Sequence, residues 1–209
     1  MRADDLTLLD DLKDQVCWSA AAGLDREWLV VLDLGEKVRR SLRLANPTLS
    51  FEQRTYEGSH AVVVEGSWRV DGPDEVIVSC LDSRHPTDRL NAGLAELVGK
   101  RLISAVAEPP AHDLVLTFEG GLVLRAFVLE ALPAPARSVP EGARSPAPPP
   151  PPRTAWSAWT PTGMLKVGVH GRLGELGPSG EPPPHPGRPH LAVVDEDDED
   201  DEAGSEGDG

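Results

Sequence analysis

Apolar residues recur along this chain at two spacings. In residues 4–22, Leu9, Leu12 and Val16 repeat at three and four, with Leu8 beside them, while Asp10, Asp11, Lys13 and Asp14 take the other side. That spacing predicts an amphipathic helix. Asp4 and Asp5 suit its start and Gly23 its end. A second stripe, Leu90, Leu94, Leu97 and Val98, predicts a helix over 87–98, with Thr87 as N-cap and Gly99 closing it.

Elsewhere the apolar residues alternate or run together, as in strands. The segments are Trp28–Leu34, Val38–Leu44, Thr48–Gln53, His60–Val70, Glu75–Leu81, Arg101–Ala107, His112–Phe118 and Leu122–Leu129. Asp71-Gly72-Pro73-Asp74 joins two of them as a hairpin, and Glu119-Gly120-Gly121 joins two more. Ala155–Thr160 turns at Pro161-Thr162-Gly163 into Met164–Val169, and its two tryptophans predict that this hairpin docks on the core. A repeat is visible. Gly35-x-x-Val38 leads to Leu49-Ser50-Phe51, and about 64 positions on Gly99-x-x-Leu102 leads to Leu116-Thr117-Phe118.

Sixteen of the 21 prolines lie between Leu132 and His190. The chain therefore divides into a globular domain over 1–132, a proline-rich linker over 133–153, the Trp-containing hairpin over 154–174, and a disordered acidic tail over 175–209. The fold class expected is α+β, mostly antiparallel sheet, with an N-terminal helix and one further helix, the repeat being either a duplicated β-unit or two similar antiparallel motifs. The core expected is Leu9, Leu12, Val16, Trp28, Val31, Val62, Val64, Trp68, Ile77, Leu94, Leu97, Leu114, Leu116, Phe118, Leu124 and Phe127.

Charge sharpens this division. The net charge of −15 over 209 residues is concentrated at the end, where Asp195–Gly209 holds ten acidic and no basic residues. A generic basic nucleic-acid binder is excluded, and the mild acidity of the rest suits a basic partner. No stretch approaches the roughly 20 apolar residues of a membrane-spanning helix. The acidic start lacks a secretory signal's basic head, so a cytoplasmic location is expected. Cys17 and Cys80 are too few for a disulfide framework and are expected to be reduced thiols.

The segment Leu97-Val98-Gly99-Lys100-Arg101-Leu102, followed by His112-Asp113-Leu114-Val115-Leu116-Thr117-Phe118-Glu119-Gly120-Gly121, carries a theme of helix, strand, turn and strand. It is preceded by Gly66-Ser67-Trp68-Arg69-Val70 and by Ser79-Cys80-Leu81-Asp82, and a Trp-containing hairpin follows at Trp156–Val169. In these features, over roughly 28–130 and 154–170, the chain resembles a group of uncharacterised bacterial β-rich proteins. Some of that group are immunity-like partners of bacterial toxins. The resemblance implies a protein-binding role and carries no catalytic motif.

Candidate chemistry is sparse. Asp82-Ser83-Arg84-His85 brings a carboxylate, a hydroxyl and an imidazole together, but a nucleophilic triad needs them to converge from separate elements, and no GxSxG elbow is present. The six histidines show no HExxH or similar ligand spacing, and no phosphate-cradling glycine loop occurs. No cofactor, metal or catalytic residue is assigned. Arg69, next to Trp68, is a candidate carboxylate or phosphate contact on a sheet face. With Asp82, Arg84 and His85 it makes up the candidate partner-binding set. Pro146–Arg153 could serve as a polyproline ligand or as a spacer. The expected function is non-catalytic binding of a protein partner. The alternatives are an enzyme with an unrecognised site, which a deep pocket bringing together Asp82, His85 or His112 would favour, and a domain that anchors an acidic C-terminus for basic partners.

Overall fold

The computed structural model describes residues 7–22, 29–45, 49–84, 87–128, 154–168 and 193–194. The expectations for Trp28, for the linker at 133–153 and for nearly all of 175–209 lie outside the described residues.

Among the described residues, twelve strands and three short α-helices follow one another. They are α1 (Thr7–Asp10), β1 (Cys17–Ala22), β2 (Val30–Arg39), β3 (Arg43–Leu44), α2 (Phe51–Thr55), β4 (Tyr56–Val64), β5 (Ser67–Asp71), β6 (Val76–Ser79), α3 (Thr87–Ala95), β7 (Leu102–Glu108), β8 (Asp113–Phe118), β9 (Val123–Phe127), β10 (Thr154–Thr160), β11 (Gly163–Gly168) and β12 (Val193–Val194). They build two five-stranded antiparallel sheets, ordered β1-β2-β4-β10-β11 and β6-β5-β9-β8-β7, with β3 and β12 paired apart from both. The inward residues of both sheets form one core. Leu32, Leu34, Val62, Val64, Trp156, Leu165 and Val167 meet Trp68, Val70, Leu114, Leu116, Phe118 and Leu124. Helix α3 packs against edge strands β1 and β6, and α1 against β7 and β11, so each helix covers a side where the sheets are not hydrogen-bonded.

The two sheets repeat one another in register. In the first, Cys17 faces Leu34, a bulge follows, and Ser19, Ala20, Ala21 and Ala22 face Asp33, Leu32, Val31 and Val30. In the second, Leu102 faces Phe118, a bulge follows, and Ser104, Ala105, Val106 and Ala107 face Thr117, Leu116, Val115 and Leu114. The correspondence continues inward across each sheet. Trp156 lies opposite Val64, as Trp68 lies opposite Ala126. The duplication is therefore present, but it relates Cys17 to Leu102, 85 positions on, not the segments 64 apart that look alike in sequence. Leu49-Ser50-Phe51 leads into helix α2, whereas Leu116-Thr117-Phe118 ends strand β8. One half, β5-β6-α3-β7-β8-β9, is continuous in the chain. The other takes β10 and β11 from beyond it and α1, β1, β2 and β4 from before it.

The halves meet where Val16 bridges Arg101. The Cys17 N–H donates to the Lys100 carbonyl at 2.9 Å, and its counterpart Leu102 donates to Gln15 at 2.8 Å. Likewise Gly99 donates to Cys17 at 2.7 Å and Asp14 to Leu102 at 2.8 Å. Both donors of this second pair sit in the left-handed region, Gly99 at φ 82° and Asp14 at φ 65°. Glycine takes that conformation without cost and Asp tolerates it better than most residues.

Several expectations need correction. The helix over 4–22 ends early. Its described part is Thr7–Asp10 with turns to Asp14, and Cys17–Ala22 is a strand. The apolar spacing around Leu9 and Leu12 was helical for only a turn or two, and small residues at 19–22 suit close sheet packing. Val16 is 38% exposed because its backbone, not its side chain, serves the junction. The strand expected over Thr48–Gln53 gives way to helix α2 from Phe51, since Ser50 and Gln53 form a capping box. The run His60–Val70 breaks at Glu65-Gly66 and passes from one sheet to the other, so the hairpin is β5–β6 alone. Ile77 and Phe127 are half-buried, and Val31 is buried on the outer side of its sheet.

Trp68 and Trp156 are 1% and 0% exposed at corresponding positions. Each truncation to Ala is expected to cost about 3–5 kcal/mol, read as a lower midpoint in urea unfolding. Near-equal losses are the expected outcome; a loss for one and none for the other would break the equivalence.

Candidate functional site

The difference between the two halves lies on the outsides of the sheets. Successive strand residues alternate between the faces, so the outward rows follow from the register. On the first sheet one row is Ala21, Val31, Val63, Ser157 and Lys166, and the next is Ser19, Asp33, Ala61, Trp159 and Met164. On the second the matching rows are Val106, Val115, Arg125, Arg69 and Ser79, then Ser104, Thr117, Val123, Asp71 and Val76.

The first of these faces is closed. Ser19, Ala21, Val31, Asp33, Ala61, Ser157 and Trp159 are all buried. The excursion between β2 and β4, which carries β3 and α2, folds over part of it. Leu44 and Leu49 join Ala21 in a small second core, and the Gln53 amide donates to the Ser19 hydroxyl at 3.3 Å. In the other half the matching connection is the tight turn Glu119-Gly120-Gly121, too short to cover anything. None of the outward residues of that sheet is buried. Val76 and Val106 are 53% and 47% exposed, and Val115, Val123 and Phe127 are half-buried.

A charged group crosses this open face. Arg69 and Arg125 lie directly opposite each other on β5 and β9. Two like charges so placed would repel. Asp71 relieves this, taking the Arg69 Nε at 2.9 Å and the Arg125 Nε at 3.2 Å. The Arg69 guanidinium also stands over the Phe127 ring, 5.6 Å from its centre. One carboxylate is thus shared by two guanidiniums, each with further N–H donors. Such a group can take a carboxylate from outside by charge-assisted hydrogen bonds.

The four sequence candidates fare differently. Arg69 is exposed and central to this face. Asp82 lies in the 3₁₀ turn after β6, where its carboxylate accepts from the Ser79 N–H at 2.8 Å and hydroxyl at 3.2 Å and lies 3.7 Å from Arg89. Its bonds fix the turn. Arg84 belongs to the same turn, and His85 lies outside the described residues. His112 stands before β8, its carbonyl accepting from the Trp156 indole at 2.8 Å. Sequence reasoning missed Asp71, Arg125 and Phe127. Arg125 was visible only as a polar break in Leu122–Leu129, and its partnership with Arg69 required the pairing of strands far apart in the chain.

A second polar cluster is internal. Asp33, 1% exposed, accepts from the Gly58 N–H at 3.2 Å through one oxygen, while its other oxygen is buried without a partner. A Cβ on Gly58 would stand 2.4 to 2.6 Å from the backbone of His60 and Leu34, so only glycine admits this approach. Burial, then the charge of Asp33, pushes the Cys17 thiol up to about 12. Burial also holds the His60 imidazole below its ordinary value, with the Asp11 carboxylate pulling the other way. Among the described residues, no three His, Cys, Asp or Glu side chains gather as a metal site, and no helix is long and apolar enough to cross a membrane.

Two outcomes follow. Iodoacetamide at neutral pH should label Cys80 in the native protein well before Cys17, which should react only on unfolding; equal rates would contradict the burial. His60 is neutral in the fold and takes up a proton more readily once unfolded. Its contribution to stability is therefore present above pH 6.5 and lost as the pH falls through its lowered folded value. Urea midpoints at pH 7.5 and 5 should fall less for His60→Gln than for the native chain.

In comparisons with protein-family models, curated proteins and solved structures, nothing matches this chain.

Proposed function

We propose that this is a non-catalytic protein-binding module that engages its partner through the outer face of the β6-β5-β9-β8-β7 sheet. The observation that carries this reading is the contrast between two equivalent faces. One is closed, in part by the chain's own β3–α2 excursion, and the other is left with Val76, Val106, Val115, Val123 and Phe127 accessible around the Arg69–Asp71–Arg125 group. Exposed apolar residues grouped and edged by charge mark interaction sites more often than isolated ones do. Arginine and aromatic side chains are those most often found at the energetic centre of interfaces.

The partner is expected to meet this face with mixed character. Apolar side chains would pack on the valines and Phe127, and a carboxylate would reach Arg69 and Arg125. The net charge of −15 would draw a basic partner from a distance. The resemblance to immunity-like bacterial proteins agrees with a non-catalytic role against another protein.

Immobilised protein should retain one stoichiometric partner from lysate of its source organism at about 0.15 M salt, where generic surface attraction is largely screened. Val115→Glu and Arg69→Glu should each lower that retention at least about tenfold while leaving the thermal unfolding midpoint within a degree or two. A partner held equally by both variants would place binding elsewhere on the molecule.

A further inference from the structure

The two outer faces carry the same seat, and the chain itself fills only one of them. On the closed face the seat is made by Ser19 and Ala21 of β1, with Asp33 and Val31 opposite them on β2. Its counterpart on the open face is Ser104 and Val106 of β7, with Thr117 and Val115 opposite them on β8. The first seat is filled from the β3–α2 excursion. Leu44 on β3 and Leu49, just before the capped start of α2, pack with Ala21. The Gln53 side chain accepts from the Ser50 N–H through its oxygen, closing the capping box, and donates through its nitrogen to the Ser19 hydroxyl. One amide thus starts the helix and seats it.

The second seat suits an occupant of the same kind. Ser104 keeps the hydroxyl that Ser19 offers to Gln53. Val106, 47% exposed, and Val115, half-buried, offer apolar surface where Ala21 and Val31 are covered. Thr117 stands where the closed face has Asp33, one of whose oxygens is buried without a partner. Covering a hydroxyl costs less than covering a carboxylate, so the open seat is the easier of the two to close. Next in the row, Arg125 takes the place of Val63. The connection in this half, Glu119-Gly120-Gly121, is too short to supply a cover and leaves the seat to another molecule.

Given the binding face proposed above, we infer that the partner docks on it with a short capped helix preceded by an extended segment, the kind of element that β3 and α2 supply within the chain. Two apolar side chains spaced as Leu44 and Leu49 are pack on Val106 and Val115. An amide in the first turn of the partner's helix reaches the Ser104 hydroxyl. A carboxylate further along pairs with Arg125 by a charge-assisted hydrogen bond. A helix that lays one apolar side on a receptor surface is a recurring mode of recognition.

The probe is a peptide with the sequence of residues 42–56, added to the isotope-labelled full chain and followed by NMR. At about 1 mM, enough to populate a weak site, it should shift the amide signals of Ser104, Val106, Val115 and Thr117 and leave those of Ser19, Ala21 and Val31 in place. Val106→Glu with Val115→Glu in the protein should lower the affinity at least about tenfold, with the signals of the closed face unmoved as the check on folding. Leu44→Asp with Leu49→Asp in the peptide should do the same. The native peptide should also release the partner retained from lysate. Absence of shifts on the open face, shifts on the closed face, equal binding by the substituted peptide, or a retained partner that the peptide does not release would each overturn the inference. A lysate that yields no partner counts against the binding role alone, since the peptide titration is read without it.

Discussion

The architecture depends on the short hydrogen-bonded junction around Val16 and Arg101. Four backbone bonds there, from Cys17, Leu102, Asp14 and Gly99, tie β1 of one sheet to β7 of the other. Buried backbone polar groups must be paired, and two edge strands meeting in this way satisfy each other. The reversal of the chain just before each strand needs a left-handed residue, and Asp14 and Gly99 occupy those corresponding positions. With the junction fixed, the bulges in β1 and β7 fall in the same place and the inward rows face each other across one core. Trp68 and Trp156 then fill equivalent positions within it.

Repetition of one half by the other isolates where they differ. The inward positions are alike in character because one core must be filled from both sides. The connections are not. The β3–α2 excursion buries Ala21 and supports the closed outer face, while Glu119-Gly120-Gly121 leaves the matching face bare. Asp33 shows the same divergence at a single position. It is buried on the closed face, where its counterpart Thr117 on the open face is half-exposed. Function is proposed where the repeat has been left uncovered.

The parts legible in the sequence were those encoded locally. Alternation in His112–Phe118 and Leu122–Leu129, with glycines between, specified a hairpin, and the same signals placed β10 and β11. The antiparallel class followed, as did the burial of Trp68, Leu94 and Phe118. Signals that depend on contact between distant segments were not legible. The periodicity of Leu9, Leu12 and Val16 suggested one long helix because nothing local shows that Cys17 will hydrogen-bond to Lys100. The capping box at Ser50 and Gln53 overrode an alternating pattern. The true repeat was hidden because it preserves backbone geometry more than residue identity, setting Asp14 against Gly99 and Cys17 against Leu102. Arg69 was found from its neighbour Trp68, but Asp71, Arg125 and Phe127 became a group only through strand pairing.

The central claim is that two equivalent halves are locked into one cooperative unit at this junction. Native-state amide hydrogen exchange at Asp14, Cys17, Gly99 and Leu102 tests it most directly. All four should exchange only through global unfolding, with one common free energy equal to that of the core amides in both sheets. Exchange of these four through local opening, or a free energy for β1 and β2 well below that for β7 and β8, would show that the halves are separate units and contradict it.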